Sequence, residues 1–386
     1  MIGVLYNGRI VTPETTLEAG WLAFDGGQIV DIGVGRPPTG GSSRDVDGGW
    51  VLPGFIDMHV HGGNGLFAQN AEPSEIVEIA EFHRTHGTTS MVLSVVADEA
   101  DQMERAVAAI AVEAGRPSST VVGSHLEGPF LSPARSGAIR PEALRPPQGP
   151  ELERLLLAGA GTVRQVTIAP ELPGAMGLID LVTGAGSAAA IGHSNADAIT
   201  ALEAIAAGSR IATHLFNAMS GVQHRAPGVA TACLISPDVT CEIVLDGHHL
   251  APEIARLAFA AAGAGRIALV TDAMAAAGLT DGTYFLAGQE LSVVDGVART
   301  QAGALAGSTL TMDAAFRYAV TVLELSVEAA SNSASSVPAA AIGLAGVTGS
   351  LRIGLAADIV LLDTELHVVD TYVRGGAHEL DALARS

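Results

Sequence analysis

The middle of the chain alternates short apolar runs with alanine-rich segments, and this pattern permits few folds. It is typical of repeated βα units that build a parallel sheet. Eight runs predict strands: Val51–His59, Thr88–Leu93, Thr120–Leu126, Val163–Ala169, Ala188–Ile191, Arg210–His214, Val239–Leu245 and Arg266–Thr271. The intervening segments include four predicted helices: Ser74–His86, Asp98–Ala114, Asn195–Ala207 and Pro252–Ala262. Eight such units over roughly 220 residues predict a (β/α)8 barrel. The alternative is a doubly wound open sheet.

The two ends of the chain have a different texture. The first fifty residues resemble short strands separated by turns at Asn7-Gly8, Asp25-Gly26-Gly27 and Asp47-Gly48-Gly49. The C-terminal segment continues this pattern, with Ile359–Leu362 as its most apolar strand. We therefore expect residues 1–52 and 347–386 to be β-rich, and residues 53–346 to form the barrel. The small-residue stretch Ser331–Val337 is either a loop or the start of a late helix.

Composition excludes several classes of partner. A formal net charge of −21 argues against nucleic acid and against acidic membrane surfaces. No apolar run approaches the roughly 20 residues that a membrane span needs. The start of the chain has no basic segment followed by an apolar one, so no signal peptide is expected. With two cysteines, Cys233 and Cys241, a disulfide framework is not expected, and a reducing cytoplasm is the simplest compartment.

Side chains suited to metal or proton chemistry follow five of the predicted strands. In the first strand, His59 and His61 are two residues apart, so both side chains point to the same side. Taken singly, each such residue has an ordinary explanation as a surface or strand-end side chain. Together they fall on the rim where a barrel assembles its chemistry, and they predict a metal site. The set is His59, His61, Glu127, His193, His214 and Asp272.

The chain contains no lysine, and every one of its 20 basic residues is arginine. Many two-metal barrel hydrolases bridge their ions with a carboxylated lysine, and that arrangement is impossible here. Glu127 is the obvious replacement, because a carboxylate can also bridge or bind a cation. The prediction is one ion held by Glu127, His193 and His214, with His59 and His61 available for a second.

Seven motifs closely resemble those of the N-acetylglucosamine-6-phosphate deacetylases of the amidohydrolase superfamily. They are PGFIDMHVHG (53–62), HLEGPFL (125–131), GHS (192–194), THLFNAM (213–219), DGHH (246–249), LVTDAM (269–274) and LAGS (305–308). The resemblance implies a (β/α)8 barrel with a small β-sandwich-like domain built from both termini. It also implies one or two divalent ions, zinc or iron, per subunit.

By the same resemblance, Asp272 is the catalytic carboxylate. The cation activates water, while Asp272 takes up the proton of that water and returns it to the departing amine. The resemblance thus implies hydrolysis of N-acetylglucosamine 6-phosphate to acetate and glucosamine 6-phosphate.

The resemblance further implies substrate contacts. Asn217 and Ala218 correspond to the pair that meets the phosphate, and Arg225 to an arginine donated across a homodimer interface. The remaining implied contacts are Ala138, Ile139, Asp246, His249, Leu305, Ala306, Gly307 and Ser308. An arginine on the phosphate would offset the negative field of the chain, because a bidentate contact is local.

The chain departs from the family at one position. Where the family usually has a histidine that touches the sugar, Ser136-Gly137-Ala138 leads into Ile139, which cannot donate a hydrogen bond. Three readings therefore stay open: a shifted loop, a replacement by a neighbour such as Arg140, or a changed substrate. Alternative substrates are N-acetylgalactosamine 6-phosphate, another N-acyl hexosamine phosphate, or an unphosphorylated acyl compound. A catalytically silent sugar-phosphate-binding barrel is the alternative from a different class.

Overall fold

The computed structural model describes residues 2–39, 41–117, 119–286 and 288–377. The end of the predicted terminal segment, 378–386, lies outside the described residues. The chain begins with five strands: β1 (Gly3–Val11), β2 (Thr16–Asp25), β3 (Gln28–Val34), β4 (Ser42–Asp45) and β5 (Trp50–Pro53).

The next ten strands comprise eight parallel barrel strands and one short hairpin. They are β6 (Phe55–Val60), the hairpin β7 (Gly62–Gly63) and β8 (Leu66–Phe67), β9 (Thr88–Val96), β10 (Val121–Glu127), β11 (Val163–Ile168), β12 (Ala188–Ile191), β13 (Ile211–Ala212), β14 (Thr240–Val244) and β15 (Ile267–Val270). Six more follow: β16 (Gly282–Leu286), β17 (Gln289–Val294), β18 (Val297–Thr300), β19 (Ile359–Leu362), β20 (Val368–Val373) and β21 (Gly376–Ala377).

The helices alternate with the barrel strands, as predicted. They are α1 (Pro73–Thr85), α2 (Ala100–Ala114), α3 (Gly149–Ala158), α4 (Ala175–Gly184), α5 (Ala198–Ala206), α6 (Val229–Ile235), α7 (Pro252–Ala262), α8 (Met312–Thr321), α9 (Val327–Ser331) and α10 (Val337–Ala341). A π-helical turn, Asn332–Ser336, joins α9 to α10, so the helical alternative for Ser331–Val337 is confirmed. No helix in the described ranges is long and apolar enough to cross a membrane.

The eight parallel strands close into a barrel. Strands β6 and β9 to β15 pair in chain order, and the open edges of β6 and β15 meet. There the backbone N–H of Asp272 donates to the carbonyl of His59 at 2.9 Å, and that of His61 donates to Ala273 at 2.8 Å. The (β/α)8 prediction is therefore confirmed, and the open-sheet alternative is wrong.

The first predicted strand is interrupted. Val51–His59 is split at Gly54 into β5, which pairs with β1 and β19, and β6, which pairs with β9. A Cβ on Gly54 would lie 2.2 Å from side-chain atoms of Thr89, so only glycine fits where the chain passes between the two sheets. The prediction of one continuous strand was wrong, because periodicity cannot detect this close approach.

The terminal strands form a sheet that folds over on itself. Strand β1 carries a bulge at Asn7-Gly8, with Asn7 at φ 59°. Residues 3–6 pair with β4, while residues 9–10 pair with β5. The turn predicted at Asn7-Gly8 was therefore wrong, and the bulge is where β1 changes partner. Strands β1 to β3 and strands β5, β19 and β20 share one core. In this core Phe24 and Tyr372 meet edge to face, with ring centroids 5.7 Å apart. This arrangement confirms the sandwich-like β-unit, while its boundaries at 52/53 and 346/347 stay a prediction.

Candidate metal centre and active site

Three of the predicted ligands converge from neighbouring strand ends. Oε1 of Glu127 lies 3.1 Å from Nε2 of both His193 and His214, and these two nitrogens are 3.0 Å apart. All three side chains are buried. Glu127 is the last residue of β10, and the two histidines each lie two residues beyond β12 and β13.

The other three predicted ligands form an adjoining group. Nε2 of His59 and Nε2 of His61 are 3.2 Å apart, and Nε2 of His61 lies 3.1 Å from Oδ1 of Asp272. Glu127 adjoins this group as well, since its Oε2 is 3.4 Å from Nε2 of His61 and its Oε1 is 3.6 Å from Nε2 of His59. The structure thus brings together all six side chains predicted from sequence.

The backbone is left-handed at three of these residues. The φ angles are 45° at His193, 30° at His214 and 51° at Asp272. Non-glycine residues adopt such angles rarely, and strained conformations of this kind cluster at functional sites. Each of these residues lies two positions beyond its strand, and each lines the cavity described below.

The donor set fits a divalent cation. Two pairs of imidazoles face each other through the same type of nitrogen, at 3.0 and 3.2 Å, with carboxylate oxygens beside them. Bonds of about 2.0–2.1 Å from such nitrogens to one ion bring the nitrogens to similar mutual distances. Imidazole with carboxylate suits zinc or iron better than magnesium or calcium. Two groups of three side chains, His59/His61/Asp272 and Glu127/His193/His214, could each hold an ion.

The charges in this cluster are strongly coupled. Burial lowers the pKa of His59, but the carboxylates of Asp272, Glu242 and Glu127 outweigh it and raise the pKa to about 10. Burial opposes ionisation of Glu127 and Asp272, yet the positive charge of His59 and hydrogen bonds from the other imidazoles hold both pKa values well below the usual range. Both carboxylates are therefore charged at neutral pH. A cation bound through His59 must first displace a proton.

A cavity of about 270 Å³ opens above the cluster. Its lining combines candidate ligands with seven of the predicted substrate contacts: Ala138, Ile139, Asn217, Ala218, His249, Leu305 and Gly307. Leu286 of β16 and Ala304 also line it, so the small antiparallel sheet β16–β18 contributes a wall that the sequence had not indicated.

Three predicted contacts stand behind the cavity wall. Asp246 accepts a hydrogen bond from Nδ1 of His249 at 2.7 Å and so fixes that ring. Ser308 donates from its backbone to the carbonyl of Asp272 at 2.7 Å and from its hydroxyl to Thr271 at 2.6 Å. Ala306 is buried beneath the small sheet. These residues position the lining instead of forming it.

Arg225 is exposed in the single chain and is not among the residues that line the cavity. Its predicted role requires a second copy of the chain, so it stays a prediction.

Ile139 lines the cavity and packs in an apolar cluster with Ala97, Leu131 and Ala143. Arg140 does not line the cavity, because its guanidinium donates to Asp98 at 2.9 Å. The arginine is therefore engaged elsewhere, and an apolar side chain occupies this part of the wall.

Three buried polar residues near the cluster were missed. Glu242 on β14 and Asp57 on β6 are fully buried carboxylates, and His125 is a buried histidine beside His59. The signal for Glu242 was available, because a glutamate inside the apolar strand Thr240–Val244 requires buried partners. Nδ1 of His125 lies 2.9 Å from the hydroxyl of Ser94, and its Nε2 lies 2.7 Å from the hydroxyl of Thr167. Both ring nitrogens are therefore hydrogen-bonded, which explains why His125 does not join the ligand cluster.

The loop that follows His61 rests on His83 of α1. Nε2 of His83 lies 2.9 Å from the carbonyl oxygen of Gly62. Burial lowers the pKa of His83 to about 4, so the ring is neutral and Nε2 donates. In the unfolded chain a histidine has a pKa of about 6.5. The unfolded state therefore takes up a proton first, and stability present above pH 6.5 is lost as the pH falls towards 4.

Replacing His83 by glutamine should remove this pH dependence, because glutamine retains an N–H donor but does not titrate. Between pH 7 and 5 the wild-type protein should lose about 2 kcal/mol more unfolding free energy than His83→Gln. Urea unfolding of both metal-free proteins at the two pH values measures the difference. An equal loss in both proteins would contradict a neutral, buried His83.

Comparison with known proteins assigns the family. The amidohydrolase family model matches residues 50–384. An N-acetylgalactosamine-6-phosphate deacetylase of Escherichia coli O157:H7 is 36% identical over 378 residues, covering 97% of this chain and 99% of that protein. An N-acetylglucosamine-6-phosphate deacetylase of Bacillus subtilis (strain 168) is 32% identical over 373 residues, covering 95% and 94%.

Solved structures agree with this assignment. A mutant N-acetyl-D-glucosamine-6-phosphate deacetylase from Mycobacterium smegmatis, in complex with N-acetyl-D-glucosamine-6-phosphate, superposes with a TM-score of 0.93 at 38% identity and covers 98% of both chains. The enzyme from Pasteurella multocida has a TM-score of 0.93 at 29% identity, covering 98% of this chain and 100% of that one. The chain belongs to the amidohydrolase family and, within it, to the N-acetylglucosamine-6-phosphate deacetylases.

Proposed function

We propose that this protein is a metal-dependent deacetylase that hydrolyses N-acetylglucosamine 6-phosphate to glucosamine 6-phosphate and acetate. The observation that carries the proposal is the cluster of His59, His61, Glu127, His193, His214 and Asp272 at the floor of a cavity lined by residues that match the family's substrate contacts. The relatives reported above act on N-acetylated hexosamine 6-phosphates by name.

In this proposal, Glu127, His193 and His214 hold the principal ion, and His59 and His61 with Asp272 provide for a second. When bound, the cation supplies Lewis-acid activation of water and of the amide carbonyl. Zinc and iron both suit these ligands.

Asp272 moves the proton. Its pKa is held low, so Oδ1 is ionised at neutral pH and can accept the proton that water loses on attacking the acetyl carbon. The same carboxyl group then protonates the amine nitrogen as the C–N bond breaks, which restores the ionised carboxylate. Nε2 of His61 lies 3.1 Å from Oδ1 of Asp272.

The sugar phosphate binds through the outer cavity. The Asn217 amide is fixed by donating to the carbonyls of His214 and Leu215 at 3.1 and 3.3 Å, and with Ala218 it would meet the phosphate. Burial lowers the pKa of His249, but Asp246 outweighs it and raises the pKa, so the ring is a suitable donor to substrate oxygens. Arg225 of a second copy in a homodimer would complete the phosphate site. The proposed compartment of the enzyme is the cytoplasm.

Removing the phosphate tests this substrate assignment. A charge-assisted hydrogen bond contributes about 1.5–3 kcal/mol. The kcat/KM for N-acetylglucosamine should therefore fall at least about tenfold, and with several contacts about 10³-fold, below that for the 6-phosphate. Acetate release from both compounds, with metal analysis of the same preparation, measures this. Equal rates would contradict the phosphate site and the role of Arg225.

N-acetylgalactosamine 6-phosphate is the second candidate substrate. It is favoured by the relative from Escherichia coli O157:H7, and Ile139 in the cavity wall supplies no hydrogen bond that would select the other epimer. Acetate release from the two epimers under the same conditions decides between them, since the true substrate has the higher kcat/KM. Binding of both epimers without acetate release would instead indicate the silent barrel.

A further inference from the structure

Glu242 is a buried carboxylate with no role in the mechanism above. It lies on β14, and its side chain is fully buried. An ionised carboxylate in such a place is costly unless charged or hydrogen-bonding partners surround it. Its partners therefore indicate what it does.

The carboxylate of Glu242 contacts both candidate ion groups. Oε2 accepts from Nδ1 of His59 at 3.0 Å and from the backbone N–H of His214 at 3.0 Å. Oε1 accepts from the side-chain amide of Gln165 at 2.7 Å. One oxygen thus holds the ring of a ligand from the first group and the main chain of a ligand from the second.

The contact to His59 decides which ring nitrogen is available. When Nδ1–H donates to Glu242, Nε2 is the nitrogen that can bind a cation. That nitrogen faces Nε2 of His61 at 3.2 Å and Oδ1 of Asp272 at 3.5 Å. His61 and His214 differ, because their buried Nδ1 atoms have no hydrogen-bond partner among the described residues.

The contact to His214 acts on the backbone. His214 has φ 30°, one of the three left-handed positions in the cluster. Its N–H would be buried without a partner if Glu242 were removed, at a cost of about 1–3 kcal/mol. Glu242 therefore supports the turn that presents His214.

We infer that Glu242 is a positioning residue that orients His59 as a nitrogen ligand and holds the His214 turn, so that it ties the two ion groups together. This inference rests on the proposed metal-dependent function. It concerns the binding of the cation, which can be measured without substrate. If the wild-type protein released no acetate but replacement of Glu242 still weakened cation binding, the proposed substrate would be refuted and this inference would stand.

The test is Glu242→Gln, with Asp358→Asn as the matched control. Glutamine keeps the shape of the side chain but offers His59 and His214 a neutral oxygen in place of a charged one, which weakens both hydrogen bonds. Gln165 can turn its unpartnered Oε1 towards the new amide, so the fold should persist while the charge is lost. Asp358 is also a buried carboxylate, but it binds Thr348 and the backbone of Arg374 in the terminal sheet region.

Metal-free proteins are titrated with Zn²⁺ against a chromophoric chelator. For Glu242→Gln, at least one equivalent should bind about 10- to 100-fold more weakly than in the wild type. Asp358→Asn should match the wild type. If every equivalent bound to Glu242→Gln with wild-type affinity, the inference would be overturned.

A second measurement does not depend on the variant folding. Histidine-ring ¹⁵N NMR of the Zn²⁺-loaded wild-type protein, assigned by comparison with His59→Gln, reports which nitrogen of His59 carries hydrogen. The expected result is Nδ1–H with Nε2 bound to zinc. A proton on Nε2, or a zinc-bound Nδ1, would refute the role of Glu242.

Discussion

Replacement of Asp272 by asparagine is expected to lower kcat for acetate release by about 10²- to 10⁴-fold, the usual contribution of a positioned proton-transfer group. Asparagine keeps the size and one oxygen of the side chain but cannot take up and return a proton. The low pKa keeps Asp272 ionised in the resting enzyme and therefore free of the proton it is to accept, and the amide removes this acceptor.

Metal content separates this effect from loss of the ion. Glu127, His193 and His214 converge without Asp272, so Asp272→Asn should retain at least the principal ion. Asp358→Asn, which changes a buried carboxylate outside the cavity, should keep wild-type kcat. Turnover at the wild-type rate in Asp272→Asn would remove the proposed mechanism.

Replacement of Glu127 by alanine should abolish binding of the principal ion and turnover. Glu127 lies within 3.1 to 3.6 Å of all four candidate histidine ligands, and no other carboxylate in the described residues lies within this distance of all four. Loss of an outer-shell partner costs about 10- to 100-fold in metal affinity, and loss of Glu127 should cost more than that. Zinc and iron content after dialysis, measured with kcat, checks this.

Glu127→Gln provides the graded comparison. It retains the shape and one oxygen, so some ion should remain, with affinity between those of wild type and Glu127→Ala. Full metal occupancy in Glu127→Ala would show that the principal ion is held without the carboxylate of Glu127, and the proposed ligand set would be wrong.

The site was more predictable than the path of the chain around it. The six candidate ligands fall at strand ends, where a barrel's order places them together, and position along the chain was enough to find them. The break at Gly54 and the bulge at Asn7-Gly8 depend on contacts with distant strands, through Thr89 in one case and β4 and β5 in the other. Hydrophobic periodicity carries no information on such contacts.

Residues that support the ligands were harder to recognise. His125 differs from a surface residue only in its burial, which depends on the tertiary fold, whereas Glu242 is marked by its place inside an apolar strand. The small sheet β16–β18 was missed for a related reason. It lies beyond the last barrel strand, and its role as a cavity wall depends on how it folds back over the mouth.

The closure of the barrel has a consequence for folding. His59 lies at the end of the first barrel strand, His61 directly follows it and Asp272 follows the last strand, so this ligand group forms only when the two edges meet. A nascent chain in which β15 has not yet been synthesised cannot form the group of His59, His61 and Asp272. A cation bound there favours the native state by mass action and opposes separation of the first and last strands. Availability of the metal would then affect how long the enzyme survives in the cell as well as how fast it works.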